Sequence, residues 1–413
     1  MRESLQSLGT CPVPNSQHDR VLLGHGSGGQ LSNDLIRRLF LPAFDNSVLS
    51  ALEDQATLEF TGRHNGLKTP RIALTTDSFV VRPIFFPGGD IGKLAVHGTV
   101  NDLAVGGARP LWLSAAFILE EGLPLADLKR IADSMRRACD EAGVTLVTGD
   151  TKVVDRGKGD QVFITTSGIG VVPDAVNLSI RNARPGDRIV VSGTIGDHGV
   201  AIMSVREGIE FETVLESDSA PIHRLSQLAL EVCPCTRCMR DPTRGGLASA
   251  LNELAAASKV RVTIDEAAVP VRPEVRGACE MLGLDPLYVA NEGKLIAVVP
   301  GEDAEQLVAA MRKHPLGRNA SIIGTVAADH PGTVVLQSAS AASASLPCCP
   351  ESSCQEFADM PRGHDQFAFF VYHAAGAHRR DFFLGNNKPA GGLQDALVDF
   401  RIGPHVAPAG RQD

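Results

Sequence analysis

Residues Gly88–Leu119 read GGDIGKLAVHGTVNDLAVGGARPLWLSAAFIL. Within them, Gly92–Gly106 has the apolar spacing of a helix, and Leu111–Leu119 is an apolar run of strand length. An earlier apolar run, Arg71–Thr76, also predicts a strand. Strands and helices that alternate in this way predict an α/β or α+β architecture.

The alternation continues toward the C-terminus. Further strands are predicted at Val144–Val147, Val162–Val172, Arg188–Ser192, Val260–Ile264, Lys294–Val299 and Ser321–Val326. Further helices are predicted at Leu123–Ile131, His198–Arg206, His223–Val232, Leu247–Ala257 and Ala304–Lys313. The turn sequence Arg184-Pro185-Gly186-Asp187 separates two units of similar size. We therefore predict an N-terminal domain over 21–180 and a C-terminal domain over 181–336.

The two ends of the chain lack this pattern. Residues 1–20 hold Gly9, Pro12 and Pro14 among polar residues, which predicts an irregular leader. Residues 337–413 begin rich in serine and alanine and carry seven of the sixteen phenylalanines without periodicity. We expect this tail to be largely unstructured.

Composition narrows the class of protein. The chain has 413 residues, of which 43% are hydrophobic, so sizeable cores can form. A net charge of −9 argues against nucleic acid as a partner. The N-terminus does not resemble a signal peptide and no run of about 18 apolar residues occurs, so we expect no membrane span and a cytoplasmic protein. Nine unevenly spaced cysteines indicate reduced thiols.

Acidic residues recur beside glycines and at the predicted ends of strands. They occur in Glu53-Asp54, Thr76-Asp77, Asn101-Asp102, Gly149-Asp150-Thr151 and Arg240-Asp241. Each alone is explained as a helix cap or a turn residue. Together they predict a site for a hard cation such as Mg²⁺, which would bring phosphate oxygens as further ligands.

Glycine-rich stretches and nearby cations fit a phosphate. The stretches are Gly24-His25-Gly26-Ser27-Gly28-Gly29 and Gly88–Lys93, although neither forms a P-loop or a dinucleotide motif. Lys152 and Arg244 could neutralise phosphate charge, or be ordinary surface cations. Glu292 could act as a base, or be a turn residue in water.

The cysteines suggest no strong metal site. Cys233, Cys235 and Cys238 are spaced as in zinc sites, but no fourth ligand lies at a matching spacing. Cys139 and Cys279 lie among apolar neighbours, which predicts buried thiols.

Several of these stretches together resemble the HypE family, the carbamoyl dehydratases of [NiFe]-hydrogenase maturation. The resemblance rests on Phe85–Pro124, on VTGDTKVVDRG, on VSGTIGDHG, on MRDPTRGGLASALNELA, on VRGACEMLGLDPLYVANEGKL and on KHPLGRNASIIG. It extends from about Leu22 to Leu336.

The resemblance implies the PurM-like two-domain fold, with an N-terminal sheet that forms a barrel across a homodimer, a C-terminal α+β domain and ATP in the cleft between them. It also implies HypF as carbamoyl donor and the HypC–HypD complex as cyanide acceptor. By the family pattern, Mg²⁺ would bind Asp54, Asp77, Asp102, Asp150 and Asp241. Phosphate would contact Gly26, Gly28, Gly29, Asn101, Thr151 and Arg244. Lys152 and Glu292 would serve in charge stabilisation and proton removal.

The chain departs from the family pattern at its end. Members end in Pro-Arg-Ile-Cys, whose cysteine carries the substrate, whereas this sequence ends Pro408-Ala409-Gly410-Arg411-Gln412-Asp413 and offers no identifiable acceptor thiol. We hypothesise a shifted reading frame after Leu336, which translation of the alternative frame would test. Cys348, Cys349 or Cys354 is a weaker alternative acceptor. His97 stands where a cysteine is expected, and we expect it to alter packing.

Two other functions stay open. The chain could be another PurM-like enzyme, such as a selenophosphate synthetase or a thiamine-phosphate kinase. The former would carry a cysteine or selenocysteine near Gly24–Gly29, which this sequence lacks. Without an acceptor thiol the chain could also be a catalytically impaired scaffold that binds ATP.

Overall fold

The computed structural model describes residues 21–26, 29–44, 46–59, 71–208, 215–338 and 343–347. The strands are β1 (Ala56–Glu59), β2 (Arg71–Phe79), β3 (Phe85–Phe86), β4 (Gly89–Asp90), β5 (Arg109–Glu120), β6 (Thr145–Val154), β7 (Val162–Val172), β8 (Arg188–Val191), β9 (Cys238–Arg240), β10 (Arg261–Asp265), β11 (Ile296–Val299), β12 (Ser321–Ala327), β13 (Thr333–Gln337) and β14 (Ser343–Ser345). The helices are α1 (Gln30–Leu35), α2 (Leu41–Phe44), α3 (Ile91–Val105), α4 (Leu125–Ala142), α5 (Asp197–Glu207), α6 (His223–Val232), α7 (Gly246–Ser258), α8 (Pro273–Leu282) and α9 (Ala304–Met311).

The first sheet has the strand order β1-β2-β7-β5-β6. Its pairs are antiparallel except β5 with β6, which run parallel. One face of this sheet packs on α3 and α4 through a core that includes Leu113, Ile131 and Ile164. The other face leaves apolar side chains exposed, and β6 is an edge strand whose side chains are almost all exposed.

Helix α3 lies between the two halves of the fold. Most of its residues are apolar and nearly all of them are buried, as expected of a helix packed all round. Its early residues join the core of the first sheet, whereas Ala104 and Val105 pack with Val190 and Leu225 of the second half. This helix therefore holds the residues of the two halves near each other.

The second sheet has seven strands in the order β14-β13-β10-β12-β8-β11-β9. Only β10 and β13 are parallel neighbours among its described pairs. Helix α7 packs on one face in a core with Val262 and Val298, and α6 and α9 pack on the other in a core with Ala297 and Val299. Successive side chains of β11 therefore pack alternately into these two cores.

Most predicted elements are confirmed with small shifts at their ends, but α4 runs on to Ala142 and β6 to Val154, well past their predicted ends at Ile131 and Val147. The helix predicted from Gly92 begins at Ile91, where Asp90 accepts hydrogen bonds from the amides of Gly92 and Lys93. Helix α4 ends at Ala142 and is capped by Gly143, whose φ of 68° suits glycine. The pattern missed α8, the N-terminal helices and the short strands β1, β3, β4, β9, β13 and β14.

The C-terminal sheet continues past the predicted boundary at residue 336, because β14 pairs with β13. The leader 1–20 and the rest of the tail, with Cys348, Cys349 and Cys354, lie outside the described residues. No helix in the described part of the chain is long and apolar enough to cross a membrane. The two-domain boundaries stay a prediction.

Candidate functional site

Four of the predicted carboxylates gather where β2, α3 and the loop after β9 meet. They are Asp54, Asp77, Asp102 and Asp241. The charge of Asp241 raises the pKa of both Asp54 and Asp102, which shows that these side chains lie within electrostatic range. The expectation that each stands at a strand end is only partly right, since Asp77 lies within β2 and Asp102 within α3.

Arg240 neutralises one side of this carboxylate cluster. Its guanidinium lies 2.9 Å from Asp54 Oδ1 and donates to Glu253 Oε2 at 2.7 Å. Thr75 links Asp54 to the next carboxylate, because its hydroxyl lies 2.8 Å from Asp102 Oδ2 and 3.0 Å from the Asp54 carbonyl oxygen. Neither Arg240 nor Thr75 was singled out from the sequence as a site residue.

Arg244 connects the cluster to the first glycine-rich stretch. One of its nitrogens donates to the carbonyl oxygen of Gly26 at 2.9 Å, and another lies 3.9 Å from Asp77 Oδ1. The Gly245-Gly246 turn that follows requires glycine, because Gly246 has a φ of 61° and packs against the backbone of residues 287–289. The structure thus brings Gly26 and Arg244 to the cluster. Gly29 precedes α1, and Gly28 lies outside the described residues.

Burial raises the pKa of all four carboxyl groups. The pKa of Asp54 rises to about 8 through burial, which outweighs the opposing charge of Arg240, and that of Asp241 rises to about 6. For Asp102, burial and then the charges of Asp241, Asp54 and Asp77 raise the pKa well above its usual value. Among the described residues, no three carboxylate, histidine or cysteine side chains are arranged to chelate one cation. The cluster is therefore a group of buried carboxyl groups whose ionisation is disfavoured by burial and mutual repulsion, rather than a closed metal cage.

Glu292 faces the same cluster from the loop before β11. Burial raises the pKa of its carboxyl group well above the usual value, and the charges of Asp218, Asp77 and Asp241 add to this effect. Its backbone is held at both ends: the Glu292 amide donates to Asp218 Oδ1 at 3.0 Å, and its carbonyl accepts from Asn101 Nδ2 at 3.1 Å. The predicted residues Asn101 and Glu292 are thus brought together.

The loop that carries Glu292 is fixed by residues that the sequence did not reveal. Lys294 pairs with Asp218 at 2.9 Å, and Asn291 Nδ2 donates to the Pro242 carbonyl, next to Asp241. A side chain at Gly293 would approach the carbonyl oxygen of Asp218 to 1.9 Å, so only glycine fits there. No sequence signal separates Asp218 from an ordinary loop aspartate.

Asp150, Thr151 and Lys152 are not brought to the cluster within one chain. They lie in the edge strand β6, where Asp150 is aligned through β5 and β7 with Ser78 of β2. Three strand spacings of about 4.8 Å separate those positions by about 14 Å. Lys152 instead lies 3.3 Å from Asp150 on the exposed edge, where the Thr151 amide and Lys152 lower the pKa of Asp150. The sequence could not reveal this separation, because strand order is set by the tertiary fold.

The described cysteines support no zinc site. Cys139, Cys233, Cys238 and Cys279 are buried and Cys235 is exposed, so the predicted burial of Cys139 and Cys279 is confirmed. His97 does more than fill space: its Nδ1 lies 3.2 Å from the Ser219 hydroxyl, and burial lowers its pKa to about 3.

The raised acid pKa values predict a pH dependence of stability. Between about pH 7 and pH 8, Asp54 is largely protonated in the fold but ionised in the unfolded chain, because its pKa is about 8 in the fold and 3.8 in the unfolded chain. Burial raises the pKa values of Asp102 and Glu292 in the same direction. The nucleotide-free protein in a metal chelator should therefore lose up to about 1.4 kcal/mol per pH unit from Asp54 as the pH rises. His97 adds no slope there, since it is neutral in both states.

Chemical denaturation at several pH values checks this expectation. Asp54→Asn should reduce the slope, whereas the exposed Asp140→Asn on α4 should leave it unchanged. A stability that is flat or rises over this range would contradict the burial argument.

The chain matches two families across most of its described length. Residues 53–172 match the N-terminal domain of AIR synthase related proteins, and residues 184–337 match their C-terminal domain. The carbamoyl dehydratase HypE of Azotobacter vinelandii is 59% identical over 309 residues, which are 75% of this chain and 89% of that protein. That of Cupriavidus necator is 56% identical over 315 residues, 76% of this chain and 88% of the relative.

The chain is also similar to solved structures of HypE. The chain is similar to HypE in a HypE–HypF complex, with 48% identity, a TM-score of 0.71 and coverage of 76% of this chain and 99% of that one. It is similar to HypE in complex with ATP, with 49% identity, a TM-score of 0.67 and coverage of 81% and 100%. A ThiL structure with AMPPCP and TMP is only 20% identical at a TM-score of 0.58 and covers 78% of this chain and 96% of its own, so it shows the shared fold alone.

Proposed function

The chain belongs to the HypE family of AIR synthase related proteins, and from this we propose that it is an ATP-dependent carbamoyl dehydratase of hydrogenase maturation. The fold is the PurM-like one that the resemblance implied. The observation that carries the proposal is the buried carboxylate cluster with Glu292 beside it, in a chain 47–59% identical to carbamoyl dehydratases HypE.

The reaction converts a cysteine S-carboxamide, S–C(=O)–NH₂, into a thiocyanate, S–C≡N. Oxygen is a poor leaving group, so ATP first transfers its γ-phosphoryl group to the carboxamide oxygen and leaves as ADP. A base then removes the nitrogen protons while the C–O bond breaks and inorganic phosphate departs. Overall, the carboxamide loses the elements of one water molecule, and ATP is converted to ADP and inorganic phosphate.

We assign ATP to the cluster formed by Asp54, Asp77, Asp102 and Asp241, since a related HypE binds ATP. Arg244 would contact phosphate oxygens, together with the loop at Gly26 and Gly29. Mg²⁺ fits the all-oxygen donor set, because buried carboxylates that repel one another gain from a divalent cation. With no chelating trio among the described residues, each carboxylate would hold the cation beside phosphate oxygens, and the cation would offset phosphate charge.

Glu292 is the proposed base. Burial and neighbouring charges raise the pKa of its carboxyl group, so its carboxylate binds a proton more strongly than a glutamate in water. Asp218 and Asn101 hold its backbone in place, which orients the group toward the cluster.

The homodimer is supported by the uncovered face of the first sheet. On that face Leu74, Ile169 and Trp112 are aligned in one row across three strands, and 37–49% of each residue's surface is exposed. An apolar row beside a free edge strand is a surface that proteins normally cover. We therefore propose that a second copy of this chain packs on it.

A charge in this row should separate the dimer. Trp112→Asp is expected to shift the chain to a monomer in sedimentation velocity, because burial of the aspartate would cost several kcal/mol. Val205→Asp on α5, which replaces a valine 43% exposed, is the control and should stay dimeric. A monomeric unmodified chain, or a dimeric Trp112→Asp variant, would contradict this interface.

If Lys152 acts together with Glu292, the two residues must come from different copies of the chain. Within one chain it lies on the exposed edge, three strands from β2. We propose that Asp150, Thr151 and Lys152 of each copy complete the site of the other, where Lys152 would stabilise phosphate charge.

Other partners follow from the family. A related HypE forms a complex with HypF, and we propose HypF as the carbamoyl donor here, with a HypC–HypD complex as the cyanide acceptor. We propose that the protein acts in the cytoplasm. Its need for ATP and the free thiols among its described cysteines are consistent with that location.

Nucleotide binding is tested by thermal stabilisation. Asp77→Asn should abolish the rise in melting temperature that MgATP produces, which at a hundredfold excess over Kd corresponds to about 2.7 kcal/mol. Asp140→Asn on the exposed face of α4 should keep the full rise. Equal stabilisation of both variants would remove Asp77 from the nucleotide site.

Catalysis is tested by mass. The chain is incubated with HypF, carbamoyl phosphate and MgATP, and peptides are examined for a cysteine that gains a carbamoyl group and then loses one water. In parallel, a synthetic peptide ending in Pro-Arg-Ile-Cys, with a carboxamide on its thiol, is supplied as substrate. Water loss on either thiol supports the dehydratase. ATP binding without water loss on either would favour the scaffold.

A further inference from the structure

A cavity apart from the carboxylate cluster lies between α4, the β3–β4 hairpin and the start of α3. Its volume is about 400 Å³. It contains none of the carboxylates assigned to ATP. It does include Gly89, Asp90 and Lys93 of the second glycine-rich stretch, for which the proposed reaction has no use.

One face of α4 supplies most of the polar lining. Arg130, Ser134, Arg137 and Glu141 recur at helical spacing, so their side chains share one side of the helix. Arg130 stacks over the ring of Phe85, with its guanidinium carbon 3.7 Å from the ring centre. This stacking places a cation at the rim of the cavity.

One of the two carboxylates of the cavity is already engaged. Asp90 Oδ1 accepts from the amides of Gly92 and Lys93, at 2.8 and 3.1 Å, and so caps α3. The other, Glu141, is exposed, and its Oε2 lies 3.7 Å from Nε2 of the buried His97, beyond hydrogen-bond distance. Lys93 donates to the Gly88 carbonyl at 2.9 Å. Cations outnumber carboxylates in the lining, three to two.

Ser134 adds a polar group between the two arginines. It is 6% exposed and lines the cavity. Its hydroxyl can donate a hydrogen bond to an acceptor held in the cavity. The hydroxyl lies one helical turn from both Arg130 and Arg137.

We propose that this cavity binds a small molecule bearing a phosphate group. Guanidinium groups pair with phosphate through two parallel hydrogen bonds, and the serine hydroxyl adds a further donor. The volume exceeds that of a phosphate ion, and Phe85, Phe86 and Ala138 supply an apolar wall for an organic part. The site is independent of the ATP cleft and of the proposed reaction.

Calorimetric titration of the full chain with inorganic phosphate and with glycerol phosphate tests this site. The Arg130→Ala/Arg137→Ala double variant should weaken binding at least about tenfold, because two charged hydrogen-bond donors are lost. Ser134→Ala should weaken it less. Arg136→Ala is the matched control, since Arg136 is exposed on the same helix and pairs with Asp140 outside the cavity. Tighter binding of the monoester would identify the organic part as recognised.

Three results would overturn the site: no binding of either probe, equal loss in Arg136→Ala, or loss in Arg244→Ala with none in the double variant. The last would place the phosphate in the ATP cleft. Acetate binding as tightly as phosphate would also reject the assigned ligand class. The double variant should keep its stabilisation by MgATP, so failure here is distinct from failure of the proposed function.

Discussion

Glu292→Gln is expected to lower the rate of dehydration by at least about 10²-fold, the usual contribution of a positioned base. Glutamine keeps the size of the side chain and leaves the backbone hydrogen bonds to Asp218 and Asn101 in place. It cannot accept the nitrogen protons of the phosphorylated carboxamide. The rate is measured as thiocyanate formed on the carboxamide-bearing peptide under single-turnover conditions.

Binding should be retained in this variant. MgATP should still raise the melting temperature of Glu292→Gln, because the aspartates of the cluster are unchanged, and the loss of rate then reports on chemistry. The exposed Glu280→Gln on α8 is the control and should react at the unmodified rate. A Glu292→Gln variant that reacts within about threefold of normal would require another base.

Mixing two inactive variants is expected to restore activity. The Lys152→Ala and Glu292→Gln variants should each be inactive alone, because each lacks one residue of the site. The mixture tests whether Lys152 of one copy serves the cluster of the other. In a mixed dimer one of the two sites then holds both intact residues. After equal mixing and subunit exchange, half of the dimers are mixed, so activity should reach about one quarter of normal.

The control pairs each variant with itself through the same exchange, which should yield no activity. Adding the Trp112→Asp change to both chains should also abolish the recovery, because the mixed dimer would not form. If the mixture stays inactive while dimers form, Lys152 acts within its own chain or not at all. Full activity of Lys152→Ala alone would remove it from the reaction.

The fold was predictable where burial imposed a period on the sequence. Helix α3 and strand β7 were located to within one residue, because one is buried on all sides and the other alternates between a core and an open face. Short strands such as β9 and β14 carry too few residues to show a period. They form because neighbouring strands offer unpaired backbone groups.

The types of residue in the site were predictable from the sequence, whereas their arrangement in space was predictable only in part. Asp54, Asp77, Asp102 and Asp241 do gather, although two of them do not stand at strand ends. Asp150 has the same local sequence character and lies elsewhere, because β5 and β7 separate its strand from β2.

The sequence by itself determined the types of element, their order, the family and the acidic chemistry, because local spacing and residue type carry that information. Only the tertiary structure decided which carboxylates share one low-dielectric space, that Asp218 and Lys294 hold the Glu292 loop, and that Ser134 faces a basic cavity. The physical reason is that pKa values and hydrogen-bond partners depend on distances between residues far apart in the chain. Those distances are set by strand order and helix packing.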